Sequence, residues 1–319
     1  MDRLIDAIAT VNNPSVVGLD PKPQLLPKQL LDEARADTAR ALEADDSTSE
    51  TFAWTSSLAT AYLRFNLAII DAVADIVPAV KPQIAMYEAL GVNGLLVYTA
   101  TCRQAHDRGL YVLGDVKRGD IGSTAAAYAG HLSEHELWME DAVTVNPYLG
   151  VDGITPFVDA AKEADADIFV LVKTSNPSSD EIQNLRTVDG ATVYEHVADL
   201  VEQWGADSIG EHGYSRVGAV VGATHPQEGR ELRERMPHTF FLVPGYGAQG
   251  GTAADVAGMF DEHGSGAIVN SSRGIIASWR NSERYSEDLS CDEALKVVAS
   301  CARAAATTMR DNLNAALGR

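Results

Sequence analysis

Residues 115–124 read DVKRGDIGST, which sets one lysine, Lys117, between two aspartates, Asp115 and Asp120. Asp115 and Lys117 stand two apart, so on a strand both side chains project from the same face. A lysine held among acidic neighbours suits electrostatic stabilisation of a developing anion and delivery of a proton to it. The plain alternative for an isolated D-x-K-x-x-D is a solvated loop or an ordinary ion-pair network, because charged loops mostly face solvent. The placement of lysine argues against it: of seven lysines in the chain, Lys81, Lys117 and Lys173 fall where short apolar runs end. Buried charges need partners, and an alternating Lys81/Asp115/Lys117/Asp120 array would supply them. Other apolar runs end in Asp20, in Thr174 and Ser175, and in NSSRG, which carries Arg273.

A second signal is the loop PGYGAQGG at 244–251. It matches G-x-G-x-x-G after a strand-like run and before a helical one, so a dinucleotide site has to be considered. That reading fails because the next run ends in Asn270 and Ser271, with no acid for a ribose hydroxyl, and because the motif follows the seventh run rather than the first. A phosphate monoester fits better. In a barrel the loops after strands seven and eight bind phosphate through backbone N–H groups, and Arg273 adds a forked cationic donor.

Eight short, largely β-branched apolar runs are available to position these residues: 15–19, 78–81, 110–116, 142–146, 167–172, 216–221, 239–243 and 266–270. The near-continuous apolarity of IFVLV, VGAVV and FFLV predicts strands covered on both faces, as parallel sheets require. Stretches of helical period lie between them at 57–76, 84–108, 154–163, 193–204, 226–235 and 252–260. This alternation predicts an α/β fold, and eight units fit a closed (β/α)8 TIM barrel forming a single domain over 1–319. Residues 21–54 read as an insertion between the first strand and first helix, part helix and part acidic loop, at the barrel rim. The Ala-rich stretch 291–317 is expected to close the outer layer. Functional residues of such barrels gather at the C-terminal ends of strands, where the side chains singled out above fall.

Composition narrows the partners. A hydrophobic fraction of 45% with 22% charged residues is that of a folded chain. The excess of 45 acidic over 25 basic residues gives a net charge of −20, which disfavours nucleic acid and anionic membrane as partners. An acid-rich, lysine-poor surface suits concentrated salt, where self-repulsion is screened, so a halophilic source is expected. Cys102, Cys291 and Cys301 form neither a disulfide framework nor a metal-ligand spacing and read as buried thiols in a reducing compartment. With no signal-peptide pattern and no bilayer-length apolar run, a cytoplasmic protein is expected. His131 and His135, at i and i+4 in HLSEH, lack a third ligand and are expected on a solvent-facing helix, leaving no metal site. Asn270-Ser-Ser is a glycosylation sequon by pattern only, since it falls on a predicted core strand.

In chain order the segments VVGLDPKP, AVKPQIAMYEALG, GDVKRGDIGSTA, VNPYLGVDG, VKTSNPSS, PGYGAQGG and NSSRGI span nearly the whole sequence. With them the chain resembles the orotidine 5′-monophosphate decarboxylase family, in its longer type 2 branch. The DVKRGDIGST block is the specific part of that likeness; the Gly-rich loop alone is weak. The resemblance implies decarboxylation of orotidine 5′-monophosphate to uridine 5′-monophosphate in de novo pyrimidine biosynthesis, no cofactor, and a homodimer. It implies that Lys117 is the proton donor, flanked by Asp115 and by Asp120, the latter reaching the neighbouring subunit's site. It further implies that Lys81 completes the array and binds ribose, that Asp20 holds a ribose hydroxyl, and that Thr124 contacts ribose across the dimer. Ser175, with Thr174 as competitor, would contact the pyrimidine, and Gln249 and Arg273 would grip the phosphate. The 21–54 insertion and the acidic surface depart from the shorter family members.

Under that reading, loss of CO2 from C6 leaves electrons on a vinylic carbon that no adjacent carbonyl can delocalise. A preorganised Lys117 ammonium can stabilise the carbanion and then protonate it. One rival is a Mg-dependent sugar-phosphate decarboxylase or synthase of the same barrel superfamily, which shares D-x-K-x-x-D but places an acid at the end of the second strand, where this chain has Lys81. A non-catalytic nucleotide-binding barrel is the other.

Overall fold

The computed structural model describes residues 1–133 and 135–319, with backbone only for His135 and Glu136. Its strands are β1 (Ser15–Leu19), β2 (Ala79–Pro82), β3 (Tyr111–Arg118), β4 (Ala142–Val145), β5 (Asp167–Lys173), β6 (Val217–Val221), β7 (Phe241–Val243) and β8 (Ala267–Ser271). They pair in chain order, all parallel, and β8 returns to β1 with Val17 opposite Ser271, closing a barrel. This is the (β/α)8 TIM barrel expected from the alternation, and each expected strand is found with its ends shifted by at most two residues. The runs were legible because every residue of β1, β2, β4, β6, β7 and β8 is buried, as a sheet covered on both sides demands.

The N-terminal helix was not foreseen, nor were the short helices Gly122–Tyr128 and Arg273–Ile276. The helix Asp2–Val11 turns Leu4, Ile5 and Ile8 onto the strand starts Ala79, Tyr111 and Ala142, stoppering the end of the barrel away from the site. Its apolar stripe has helical spacing, so the signal was present. Four helices differ from expectation. Those expected at 57–76 and 154–163 start earlier, as Glu50–Val73 and Val151–Glu163. The long helix expected at 84–108 is two, Ile84–Glu88 and Gly91–Asp107, because Gly91 adopts a left-handed φ of 63° that ends one and begins the other. The helix expected at 252–260 shortens to Ala253–Ala257, started by a capping box between Thr252 and Asp255.

Within 21–54, the helix Lys28–Ala44 buries Leu30 and Ala34 and lies against Glu50–Val73 and the C-terminal helix Cys291–Ala316, joining the outer layer. Cys102 and Cys291 are buried, Cys301 is half-buried, and all three are free thiols. His131 overturns its solvent-facing expectation. It is buried, with Nδ1 2.7 Å from Glu140 Oε2 and its ring 4.2 Å from that of Trp138. The reason is Glu140, a fully buried carboxylate that must find partners and takes them from His131 and Tyr98. The side chain of His135 lies outside the described residues. Among the described residues no helix is long and apolar enough to cross a membrane.

Candidate active site

The C-terminal ends of the strands surround a cavity of about 640 Å³. Asp20 reaches it from the end of β1, Lys81 from β2, Asp115 and Lys117 from β3, and Thr144 from β4. Thr174 and Ser175 follow β5, Gln249 follows β7, and Arg273 follows β8.

Asp115 is the hub. Its Oδ2 accepts from Lys81 Nζ at 2.7 Å, while Oδ1 accepts from Lys117 Nζ and, at 3.1 Å, from Thr144 Oγ1. The Lys81 side chain is 4% exposed and the Lys117 side chain 46%, so of the two ammonium groups Lys117's is the one open to a ligand. Burial opposes charge on Asp115, but Lys81 and then Lys117 outweigh it and hold the carboxyl well below the usual range. Burial likewise opposes charge on Lys81, and Asp115 followed by Asp20 outweighs it and pushes the amine's pKa up. Asp115 and Lys81 thus each favour the charged form of the other.

Regular strand alternation was expected to bring Asp115 and Lys117 together, and it is not what does so. The pairing of β3 with β4 shifts between Gly114 and Arg118, and Lys117 sits at φ 43°, so a bulge re-aims the lysine. The four-membered array expected of one chain is also incomplete. Asp120 lies off the cavity, with Oδ1 accepting from Ile121 N–H at 2.8 Å, and Thr124 is exposed on the helix Gly122–Tyr128. Lys173, the third strand-end lysine, turns away from the cavity. It is fully buried and donates to Asp180 Oδ1 and Asn184 Oδ1 at 2.8 Å each, which anchors the loop after β5. A buried ammonium needs oxygen partners, and Lys173 finds them in Asp180 and Asn184.

The opposite side is built from loops. Gly245, Gly247 and Gly250 take φ values of 102°, 71° and 102°, which side-chain-bearing residues rarely adopt, and the loop closes on itself through Gly247 N–H to Gly251 O at 2.8 Å. Ser175 Oγ donates to Gln249 Oε1 at 2.8 Å, tying the loop after β5 to the loop after β7. The Thr174 hydroxyl is used within its own loop, donating to Asn176 Oδ1 at 2.6 Å and accepting from Gln183 Nε2 at 2.8 Å. Ser272 Oγ donates to Asp20 Oδ2 at 2.5 Å, whereas Asp20 Oδ1 and Asn270 Oδ1 are buried with no protein partner. Arg273 and Lys22 line the cavity with no ion pair among the described residues. Four cationic side chains thus face two acidic ones in a protein of net charge −20.

Sequence reasoning missed Thr144, Lys22, Asn270 and Ser272. Lys22 and Ser272 lie in the segments VVGLDPKP and NSSRGI, and Thr144 is the lone hydroxyl in the apolar strand AVTV.

A parallel barrel whose strand ends converge on a cation-rich pocket defines an α/β-barrel enzyme for an anionic small molecule. Sequence comparison narrows the class. The chain belongs to the orotidine 5′-phosphate decarboxylase / HUMPS family, whose model matches residues 44–287. It is 46% identical over 289 residues to the orotidine 5′-phosphate decarboxylase of Rhodopirellula baltica, covering 88% of this chain and 89% of the relative. To that of Clostridium acetobutylicum it is 40% identical over 262 residues, covering 82% and 88%. The structure is similar to that of Leishmania donovani OMP decarboxylase, with a TM-score of 0.72, 29% identity, and coverage of 100% and 98%.

Proposed function

We propose that this chain is a carboxy-lyase that converts orotidine 5′-monophosphate to uridine 5′-monophosphate, with Lys117 as proton donor. The observation that carries the reading is the single Asp115 carboxylate shared between Lys81 and the ligand-accessible Lys117. The substrate brings a phosphate and a carboxylate, and the cavity meets them with Lys22, Lys81, Lys117 and Arg273. Arg273, Gln249 and the amides of the loop at 244–251 hold the phosphate. Asp20 Oδ1 and Asn270 Oδ1, lacking protein donors, accept from ribose hydroxyls, and Lys81 adds a donor beside them. Ser175 reads the pyrimidine edge, its hydroxyl committed in one bond, to Gln249, where the competing Thr174 hydroxyl is committed in two within its own loop.

With the base seated over Lys117, the bond from C6 to the carboxylate breaks and the electron pair stays on C6. The nearby ammonium lowers the energy of that carbanion and then gives C6 its proton as CO2 leaves. Asp115 fixes the direction of the ammonium through their direct contact. Binding energy from the distant phosphate is available to exclude water from the reacting carbon. The Mg-dependent rival is disfavoured by Lys81, whose ammonium, 2.7 Å from Asp115, places positive charge where a divalent cation would need acids.

Asp120 and Thr124 act from a second copy of the chain, in a homodimer that completes each array from its neighbour. Thr124 is exposed and Asp120 half-buried, both outside the lining of their own cavity, with the exposed apolar Ile121 between them in the chain. The chain works as one domain, with 21–54 as an addition to its outer layer. Its free thiols and net charge suit a reducing, salt-rich cytoplasm.

An ultraviolet assay of orotidine 5′-monophosphate turnover in the presence of EDTA tests the reading. Steady turnover, indifferent to EDTA, is expected; no turnover, or turnover abolished by EDTA, overturns it. Mixing inactive Lys117→Ala and Asp120→Ala chains tests the shared site. Hybrid dimers carry one intact site and should restore about a quarter of wild-type activity, whereas no recovery removes Asp120 from the neighbour's array.

A further inference from the structure

We propose that Thr144 is a positioning residue of the reaction, a hydroxyl that fixes the Asp115 carboxylate and the backbone of Lys117 at once; the proposal rests on the decarboxylase reading above. Thr144 lines the cavity at the end of β4 yet is only 1% exposed. A threonine hydroxyl has one hydrogen to give and two lone pairs to share. Here the hydrogen goes to Asp115 Oδ1 at 3.1 Å, and one lone pair accepts the Lys117 N–H at 2.9 Å.

The position explains the need. Leu113 and Gly114 of β3 register with Ala142 and Val143 of β4, and the register resumes only at Arg118 opposite Val145. Thr144 is the β4 residue facing the interruption. The bulge puts Lys117 at φ 43°, outside the regions that L residues ordinarily adopt, and takes its N–H from the regular ladder. The Thr144 side chain supplies the acceptor that the ladder no longer offers. Through the same oxygen it holds the carboxylate that meets both lysines, so the backbone and the side chain of Lys117 are referenced to one atom.

Removing this hydroxyl leaves Asp115 between two ammonium groups, so the array keeps its charges and loses its geometry. The phosphate contacts at Gln249 and Arg273 lie across the cavity and are untouched. A positioning loss of this kind falls on the chemical step and spares substrate binding.

The test compares Thr144→Val, which keeps the shape without the hydroxyl, with Thr144→Ser, which keeps the hydroxyl. For Thr144→Val, kcat should fall by about ten- to a hundredfold with KM changed by less than about threefold. Thr144→Ser should recover most of the loss. A Val variant with wild-type kcat overturns the proposal, as does a loss carried by KM, or a Ser variant as slow as Val, which would assign the role to packing. Hydrogen exchange at the Lys117 amide of the wild-type protein gives a reading that does not depend on the variants folding. Slowed exchange supports the bond to Thr144 and free exchange overturns it. An absence of turnover by the wild-type enzyme would instead sink the decarboxylase reading, leaving the exchange result to judge the geometry.

Discussion

The two sides of the barrel mouth are built on opposite terms. On the β2 to β4 side, Lys81, Asp115, Lys117 and Thr144 are bonded to one another before any ligand arrives. On the β7 to β8 side, among the described residues, Arg273 and nearby Lys22 lack ion pairs, and Asp20 Oδ1 and Asn270 Oδ1 lack donors, around a loop shaped by glycines. One side is complete on folding and the other is completed by what it binds. On the proposed function the difference separates two uses of electrostatics: a fixed field where charge would develop during reaction, and open valences where a stable anion would dock.

The separation can be broken by mutation, beginning with the fixed side. Lys117→Ala should lower kcat/KM by more than about a thousandfold while the fold survives. Steady-state kinetics beside circular dichroism check this, and near-normal turnover would remove Lys117 from its role. Arg273→Ala acts on the open side and should raise KM by about ten- to a hundredfold, with a smaller change in kcat. A fall in kcat as deep as that of Lys117→Ala would erase the distinction between the sides. Ser175→Ala cuts the link to Gln249 and should cost about tenfold or less in kcat/KM, measured in the same assay.

The smallest expected effect is a flat response to pH. Asp115 has a lowered carboxyl pKa, so its stabilisation is present above the unfolded value of about 3.9 and is lost as pH falls through the folded one. Lys81 has a raised pKa, so its contribution is complete below about 10.4 and is lost as pH rises through the folded value. Between those limits the stability difference between wild type and Asp115→Asn, read by denaturant unfolding, should stay constant. A difference that drifts between about pH 5 and 9 would show that the hub titrates after all.

Much of this architecture could be read from the chain because its determinants are local and repeated. The strands are short apolar runs, mostly buried on both faces, and several of them end at or just before a side chain that lines the mouth. What escaped reading depends on contacts far apart in sequence. Lys173 and Lys117 look alike as strand-end lysines, but one meets Asp180 and Asn184 outside the cavity and the other meets Asp115 within it. Pairwise spacing placed Asp115 and Lys117 together for the wrong reason, because a bulge is set by the neighbouring strand as well as by the residues that form it. His131 was read from its own helix alone, whereas its burial is decided by Glu140. Thr144 passed unnoticed as one polar residue in an apolar strand, since its value comes from two atoms on β3.

The seam where β8 meets β1 has a consequence for biosynthesis. It brings Ser272 to Asp20 across 252 residues of chain, so the first cavity-lining side chain to leave the ribosome waits for the last strand to emerge before it gains its partner. Half-made barrels therefore expose an unjoined edge and carry no pocket, and premature termination anywhere before β8 yields a product that cannot ligate nucleotide.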